Sequence, residues 1–550
     1  MPTTKRGRTD TGIGKEDYYT TSELPSRSPS HGNNFGLHVS GTQGGNAPSS
    51  SLGNALSGNA STTSLGNARR TVAVKKGAHG LKAEYLRGMG GLNASFVNHC
   101  VNAKAPSSAP LDFIEASLDY IAYASDLSAT YLSPPLTTIC TFGSGDCGQL
   151  AFGIDDDSQT IVKRPRKVMA LAHGGVRCVA AGGLHNVACA NDGDVYTWGC
   201  NDDGSVGRKG GEEKLVVPMI VPGVKGVCAG AGDCQTVVAD KEGRVWMWGT
   251  YKDKEGKVFR DARAPASIRG KHTSPAETFL PSTRVGKVVQ VACGASFNVA
   301  RTDRGEVYTW GLGECGELGR DACPMKAGGE YDLDGILRTH LTAMSPRFMD
   351  GIKVGNGRYV RKVAAGAYHL LVITVESSAG GGGRLYTAGL NNYGQLGHGD
   401  LENRSCMTPV AGLEGERVAD ADGGMHHSLV ACADGRVYAF GRGDSGQLGV
   451  KDDCGVGYCE QSPVPVPLPG ARGKAEQVTC GANHNFVITD EKECYSWGYG
   501  DMAALGHGKE QDENRPRLLV LPKKAEFEGA EIVKAAGGGQ HSCIIINQKR

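Results

Sequence analysis

From Thr138 to Ile546 the chain alternates short apolar runs with glycine turns, and the same two elements recur throughout. The first is a short run ending in an aromatic and a glycine, followed by a turn glycine and then Leu or Val. Its copies are Thr141-Phe142-Gly143 with Gly148 and Leu150, Thr197-Trp198-Gly199 with Gly204 and Val206, and Met247-Trp248-Gly249. Next come Thr309-Trp310-Gly311 with Gly316 and Leu318, then Thr387-Ala388-Gly389 with Gly394 and Leu396. Ala439-Phe440-Gly441 with Gly446 and Leu448, and Ser496-Trp497-Gly498 with Leu505, complete seven copies at intervals of about 50 to 80 residues. The second element is a glycine with small neighbours and a histidine, then an apolar run and an acidic-glycine turn. Examples are Gly182-Gly183-Leu184-His185, Gly366-Ala367-Tyr368-His369 and Gly481-Ala482-Asn483-His484, with turns such as Asn191-Asp192-Gly193 and Ala433-Asp434-Gly435.

An acidic-glycine pair between apolar runs is a hairpin signal, so each repeat reads as several short strands. One such unit cannot bury both of its faces, and radial repetition resolves that as a β-propeller. The last copy ends with Gly538-Gly539-Gln540-His541-Ser542-Cys543-Ile544-Ile545-Ile546 and lacks the aromatic-glycine run that should follow. The first copy, Thr138-Ile139-Cys140-Thr141-Phe142-Gly143, supplies only that run. The expected fold is therefore all-β, a closed seven-bladed propeller over 138–547 with one blade stitched from both chain ends, which removes an exposed sheet edge.

Residues 1–108 differ in character. They are rich in Ser, Gly, Asn and Thr, and Ser51-Leu52-Gly53-Asn54-Ala55 returns as Ser64-Leu65-Gly66-Asn67-Ala68. Such a segment buries too little apolar surface to offset chain entropy, so a mostly disordered arm is expected. Within 109–137, Phe113, Ala116, Leu118 and Ile121 fall near one side of a short helix, which Pro134-Pro135 ends.

Composition narrows the function classes. The formal net charge is +1, so any basic surface is local. No apolar run reaches the roughly 18 residues of a membrane span, and no secretory signal follows Met1. The 18 cysteines are scattered without a CxxC pair, which predicts reduced thiols and no metal site. There is no GxxxxGK[ST] loop, HExxH or nucleophile elbow, and no cofactor is expected. A histidine at one place in every repeat reads as a structural hydrogen-bonding residue, the role expected of His185, His369 and His484. Trp198, Trp248, Trp310 and Trp497 read as blade core.

The alternation of GxxxxGQLG and GGxH elements over about 138–547 resembles the regulator-of-chromosome-condensation family, exchange factors for the nuclear GTPase Ran. The resemblance implies a guanine nucleotide exchange factor, a nuclear monomer on chromatin that serves nucleocytoplasmic transport and the cell cycle without bond-making chemistry of its own. It also implies GTPase-binding positions: Asp146 in Gly145-Asp146-Cys147-Gly148, Asp233 in Gly232-Asp233-Cys234, the pair His426 and His427, and His541. Gly249 to Asp261 lacks the usual turn and resembles the family's hairpin wedge, with Lys252, Asp253, Lys254 and Glu255 as its charged residues. Asp350 to Lys362 looks like the family's nucleosome-touching basic loop, through Lys353, Arg358, Arg361 and Lys362. Lys5 and Arg6 in the arm join it as a basic cluster for import or DNA phosphates. Ser296-Phe297 departs from the family, which carries an acidic-His pair there. That departure favours an alternative, a non-catalytic scaffold or chromatin-binding propeller. An ultraviolet-B photoreceptor of the same fold is disfavoured, because that mechanism needs clustered tryptophans and the chain has five in all.

Overall fold

The computed structural model describes residues 137–547 apart from 154–159, 173–174, 209–213, 253–257, 260–271, 280–285, 321–346, 350–351, 353–357 and 377–382. The arm, the helix expected near 113–121, and Lys5, Arg6, Asp253, Lys254, Glu255 and Lys353 lie outside the described residues.

Seven four-stranded antiparallel sheets and one two-stranded hairpin make up the fold. Blade one is typical, with consecutive strands Val176–Ala181, His185–Ala190, Asp194–Cys200 and Lys214–Lys225. The first strands of neighbouring blades pack on one another and form the inner wall; blades two to six place Cys228–Ala231, Val288–Cys293, Arg358–Ala365, Val418–Gly423 and Ala475–Cys480 there. Blade seven takes Glu531–Gly537 and His541–Asn547 from the C-terminal end and Thr137–Ser144 and Ile161–Lys167 from the start of the repeats. Thr137 pairs with Asn547 and, at the other end of the ladder, Gly143 pairs with His541. The closure expected from the split repeat is thus present in the hydrogen-bond ladder.

The repeat glycines are required by the backbone. Gly199, next to last in the third strand of blade one, has φ +108°, and a Cβ there would meet the Leu184 carbonyl oxygen at 2.5 Å. Gly143 repeats this in blade seven at φ +105°, 2.6 Å from the Gln540 oxygen. No L-residue tolerates that contact and that φ together. The four repeat tryptophans are fully buried, as the pattern predicts, each in a different apolar cluster.

Side chains of the inner strands seal the wall all the way round. Cys178 Sγ donates to the Val227 carbonyl, Cys228 Sγ to Val289, and Gln290 bonds both the N–H and the carbonyl of Val363. Lys362 pairs with Asp420, Asp420 and Asp422 accept the Val478 and Cys480 amides, Gln477 and Thr479 reach Val533 and Ala535, and Lys534 donates to Arg177. Every inter-blade boundary therefore has a polar tie between side chain and neighbour, which leaves no free inner edge.

Candidate functional site

Because successive strands of a blade are antiparallel, their connections alternate between the two ends of the propeller. The loop between first and second strands, which carries the GGxH element, shares an end with the loop between third and fourth strands, which carries the GxxxxGQLG turn. The described positions singled out for a GTPase partner, Asp146, Asp233, Lys252, His426, His427 and His541, fall at this end. Asp146 sits on the turn after Thr137–Ser144 and Asp233 on the loop before Gln235–Ala239, and both are exposed.

Beneath this surface lies a ring built from the residue that opens each second strand. His185 Nε2 meets Thr236 Oγ1 of the next blade at 2.8 Å, His369 meets Ser428 Oγ at 2.9 Å, and His484 meets Ser542 Oγ at 2.8 Å. His427 bonds Asn485 Oδ1 at 2.7 Å and His541 bonds Asn186 Oδ1 at 2.8 Å. Five successive boundaries, from blade four round through seven to two, are thus bridged by a histidine. Burial holds the imidazoles neutral: His185 and His427 fall to about 4, and His369, His484 and His541 to about 3. The structural role expected for His185, His369 and His484 is present. His427 and His541, grouped with the contact residues on sequence, belong to the same enclosed ring, each 0% exposed.

The remaining two boundaries differ. Gln235 occupies the ring position of blade two and donates to the Gly294 carbonyl at 3.1 Å. Phe297 occupies that of blade three, where Leu370 stands at the acceptor position of blade four, and both are buried in one apolar cluster. The Ser296-Phe297 departure is therefore an apolar replacement of a polar bridge on both sides of the boundary.

His426, unlike its neighbour, lies at the face. Its ring stacks on Tyr368 at 5.8 Å between centroids and leans on Tyr393 at 5.0 Å. The Arg442 guanidinium sits 5.2 Å over Tyr393 and pairs with Asp444 at 2.7 Å. Burial, then the nearby Arg442 charge, lowers the His426 imidazole to about 4, so it is neutral near pH 7. The sequence did not single out Tyr368, Tyr393 or Arg442. They occupy variable places in the repeat, and only the blade arrangement brings them together.

The interrupted repeat of blade two is a hairpin at the same end. Tyr251 pairs with Phe259 and Lys252 with Val258, while 253–257 lie outside the described residues. Tyr251 itself is 7% exposed.

The basic segment lies at the opposite end, between the last strand of blade three, Arg347–Phe348, and the first of blade four, Arg358–Ala365. Expected as a loop as far as Lys362, it becomes strand at Arg358. Ile352, only 2% exposed, pins the segment into the core. Arg361 is the extra residue of a β-bulge and is exposed; Lys362 is committed to Asp420. Thr137, the first described residue, also lies at this end. Among the described residues no side-chain cluster suits a metal ion, and no helix is long and apolar enough to cross a membrane.

Residues 138–544 match the family described as RCC1-like domain. The chain is 28% identical over 426 residues to the regulator of chromosome condensation of Xenopus laevis, covering 75% of this chain and 90% of that protein. It is 28% identical over 389 residues to the ultraviolet-B receptor UVR8 of Arabidopsis thaliana, covering 69% and 77%. Among solved structures, Prp20p of Saccharomyces cerevisiae, described with its binding to Gsp1p and histones, superposes with a TM-score of 0.64 at 25% identity, covering 76% and 93%.

Proposed function

Because the chain belongs to the RCC1-like domain family, we propose that it is a guanine nucleotide exchange factor for a Ran-type small GTPase, acting on chromatin in the nucleus. The observation that carries the reading is the hairpin at Tyr251 to Phe259, which interrupts the repeat at the end that also presents Asp146, Asp233 and His426. The GTPase sits on that end, and the hairpin carrying Lys252, Asp253, Lys254 and Glu255 presses toward its nucleotide site. His427 and His541 hold the loops in place from the ring below.

Exchange makes no covalent bond. A surface that binds the nucleotide-free GTPase more tightly than the loaded one weakens nucleotide binding by the same factor, since the coupling is reciprocal. Charged hairpin residues suit that task, because they compete for contacts around phosphates and Mg²⁺. The opposite end is left for chromatin: Arg358, Arg361 and Lys353 form its basic segment, and Lys5 and Arg6 of the arm add basic charge for DNA phosphates. A histone-binding relative of the same fold supports that division. The protein acts as a monomer and needs no cofactor.

Phe297 favours a second reading, a scaffold of the same family without exchange activity. A light-sensing role finds no support in the placement of the tryptophans, since Trp198, Trp248, Trp310 and Trp497 sit in four separate blade cores. Nucleotide release from a purified Ran-type GTPase separates exchange from scaffold. Replacing Lys252 to Arg260 by Gly-Gly should slow stimulated release at least about tenfold, equivalent to about 1.4 kcal/mol in the barrier, with the GTPase still bound. No acceleration by the intact protein establishes the scaffold reading instead.

A further inference from the structure

Five blade boundaries share a second device beside the histidine ring. At each of them the GxxxxGQLG-type turn of one blade offers a backbone carbonyl to the next. The Gln149 carbonyl accepts from both Asn186 Nδ2 and Trp198 Nε1 at 2.9 Å. The Ser205 carbonyl accepts from Thr236 at 2.8 Å and Trp248 at 2.7 Å, and the Gln447 carbonyl from Asn485 at 2.8 Å and Trp497 at 3.0 Å. Ser428 and Ser542 make the same bond to Gln395 and Ala504. The residue after the ring position, and the repeat tryptophan where the blade carries one, are thus satisfied by the preceding blade's turn.

Blade two has no such turn, because the hairpin replaces it. Asn298 and Trp310 of blade three are fully buried and still need partners. With its amide oriented to satisfy its neighbours, Asn298 accepts the Trp310 indole N–H at 3.1 Å and the Tyr251 hydroxyl at 2.6 Å, and donates to the Phe297 carbonyl at 3.2 Å. Tyr251 is the first residue of the hairpin, paired with Phe259, and its ring lies in the apolar cluster that holds Trp310 and Val291. The hydroxyl takes the place of the absent turn.

We infer that Tyr251, through Asn298 and Trp310, is the positioning residue that fixes the hairpin at the angle exchange requires. This rests on the exchange reading above. A wedge helps only if it does not yield when the GTPase pushes back. A two-residue strand pair has no independent stability, so its stiffness must come from its root. The root is a buried ring plus a hydrogen bond into the neighbouring blade, so force on the hairpin is borne by two blades rather than one. Tyr251 has no contact with nucleotide in this scheme; it acts through the residues beyond it.

The test is Tyr251→Phe, which removes one oxygen and keeps the ring in the core. Amide hydrogen exchange over Tyr251 to Phe259 should quicken at least tenfold, with other blades unchanged. Affinity for the nucleotide-free GTPase should stay within about threefold, while stimulated release at saturating protein falls about fivefold. Asn298→Leu should reproduce both effects from the other partner. In the protein with Lys252 to Arg260 replaced by Gly-Gly, Tyr251→Phe should change release less than twofold, because nothing is left to position. Unchanged hairpin protection in Tyr251→Phe overturns the inference. So does unchanged release in Tyr251→Phe where hairpin shortening slows it. If the intact protein does not accelerate release, the exchange reading fails, and hydrogen exchange alone still decides whether Tyr251 holds the hairpin.

Discussion

The two sides of the propeller wall close their blade boundaries by different means. From blade four round through blade seven to blade two, five boundaries are bridged by a buried histidine reaching Ser, Thr or Asn. From blade two to blade four the histidines are gone; Gln235 bonds a backbone carbonyl and Phe297 packs in the cluster of Leu370. The second side also carries the hairpin of blade two. Where the repeat is regular, it serves closure. Where insertions stand on the wall, the boundary has been rebuilt around them, as expected when a local rule is given up at a functional place.

The largest contrast comes from cutting each side. Removing everything after Lys534 takes the strand His541–Asn547 and the last three residues of Glu531–Gly537, which opens the ring on its regular side. Loss of the cooperative thermal transition is expected, whereas shortening the hairpin on the other side should leave it nearly unchanged. Circular dichroism melts of the two proteins make the check, and a cooperative transition in the truncated one would show that closure at blade seven is dispensable.

Acid separates the sides next. The five ring imidazoles sit at about 3 or 4 in the folded protein, against roughly 6.5 in an unfolded chain. The folded state binds fewer protons, so stability is complete above the unfolded value and is lost as pH falls from there toward 4. Each group contributes a slope of up to about 1.4 kcal/mol per pH unit within that window. Glu317 and Asp422, raised by burial to about 7 and 6, work in the opposite direction and are fewer. Denaturation midpoints should fall steeply between pH 6.5 and 4.5, with net proton uptake on unfolding. A midpoint flat across that range would mean the ring opens and titrates without unfolding.

Much of this architecture was legible from glycine and tryptophan spacing, because φ and close-approach demands leave few alternatives at Gly143 or Gly199. The ring was half legible. His185, His369 and His484 announced a structural role, but the doublet His426-His427 blurred which member sits in the ring. Spacing from the glycine resolves it, since Gly424 precedes His427 as Gly366 precedes His369. The hairpin root was not legible, because Asn298 lies 47 residues from Tyr251 and nothing local links them. Nor was the fate of Lys362, whose partner Asp420 belongs to the next blade.

Exchanging one boundary type for the other gives a smaller effect. Phe297→His places a polar ring opposite Leu370, which offers no acceptor, and a buried unsatisfied group costs about 1–3 kcal/mol. Adding Leu370→Ser supplies the hydroxyl found at Ser428 and Ser542, and should recover about 1 kcal/mol or more as a coupling between the two sites. Chemical denaturation of the single and double variants measures it. If the double variant is no better than the sum, the apolar boundary is fixed by packing in its cluster with Met349 and Ile352 rather than by the pair itself.

The smallest effect belongs at the far end, and it sharpens the proposed division of the molecule into a GTPase end and a chromatin end. Arg358 opens the inner strand of blade four and Arg361 is its exposed bulge, while Lys362, next in sequence, points into the wall toward Asp420. Phosphate contacts add affinity that salt removes, with a slope of about 0.9 for each contact on duplex DNA. Arg358→Ala with Arg361→Ala should therefore weaken nucleosome binding by about fivefold at low salt, less at high salt, and flatten the salt dependence by up to about two units. Nucleotide release from the GTPase should not change, since both residues are at the other end. Lys362→Ala makes the control: it strips Asp420 of its cation, so it should lower the melting temperature while leaving the salt slope of nucleosome binding alone. Equal loss of nucleosome binding in Lys362→Ala and in the arginine pair would mean that the segment acts through fold stability, not through charge presented to chromatin.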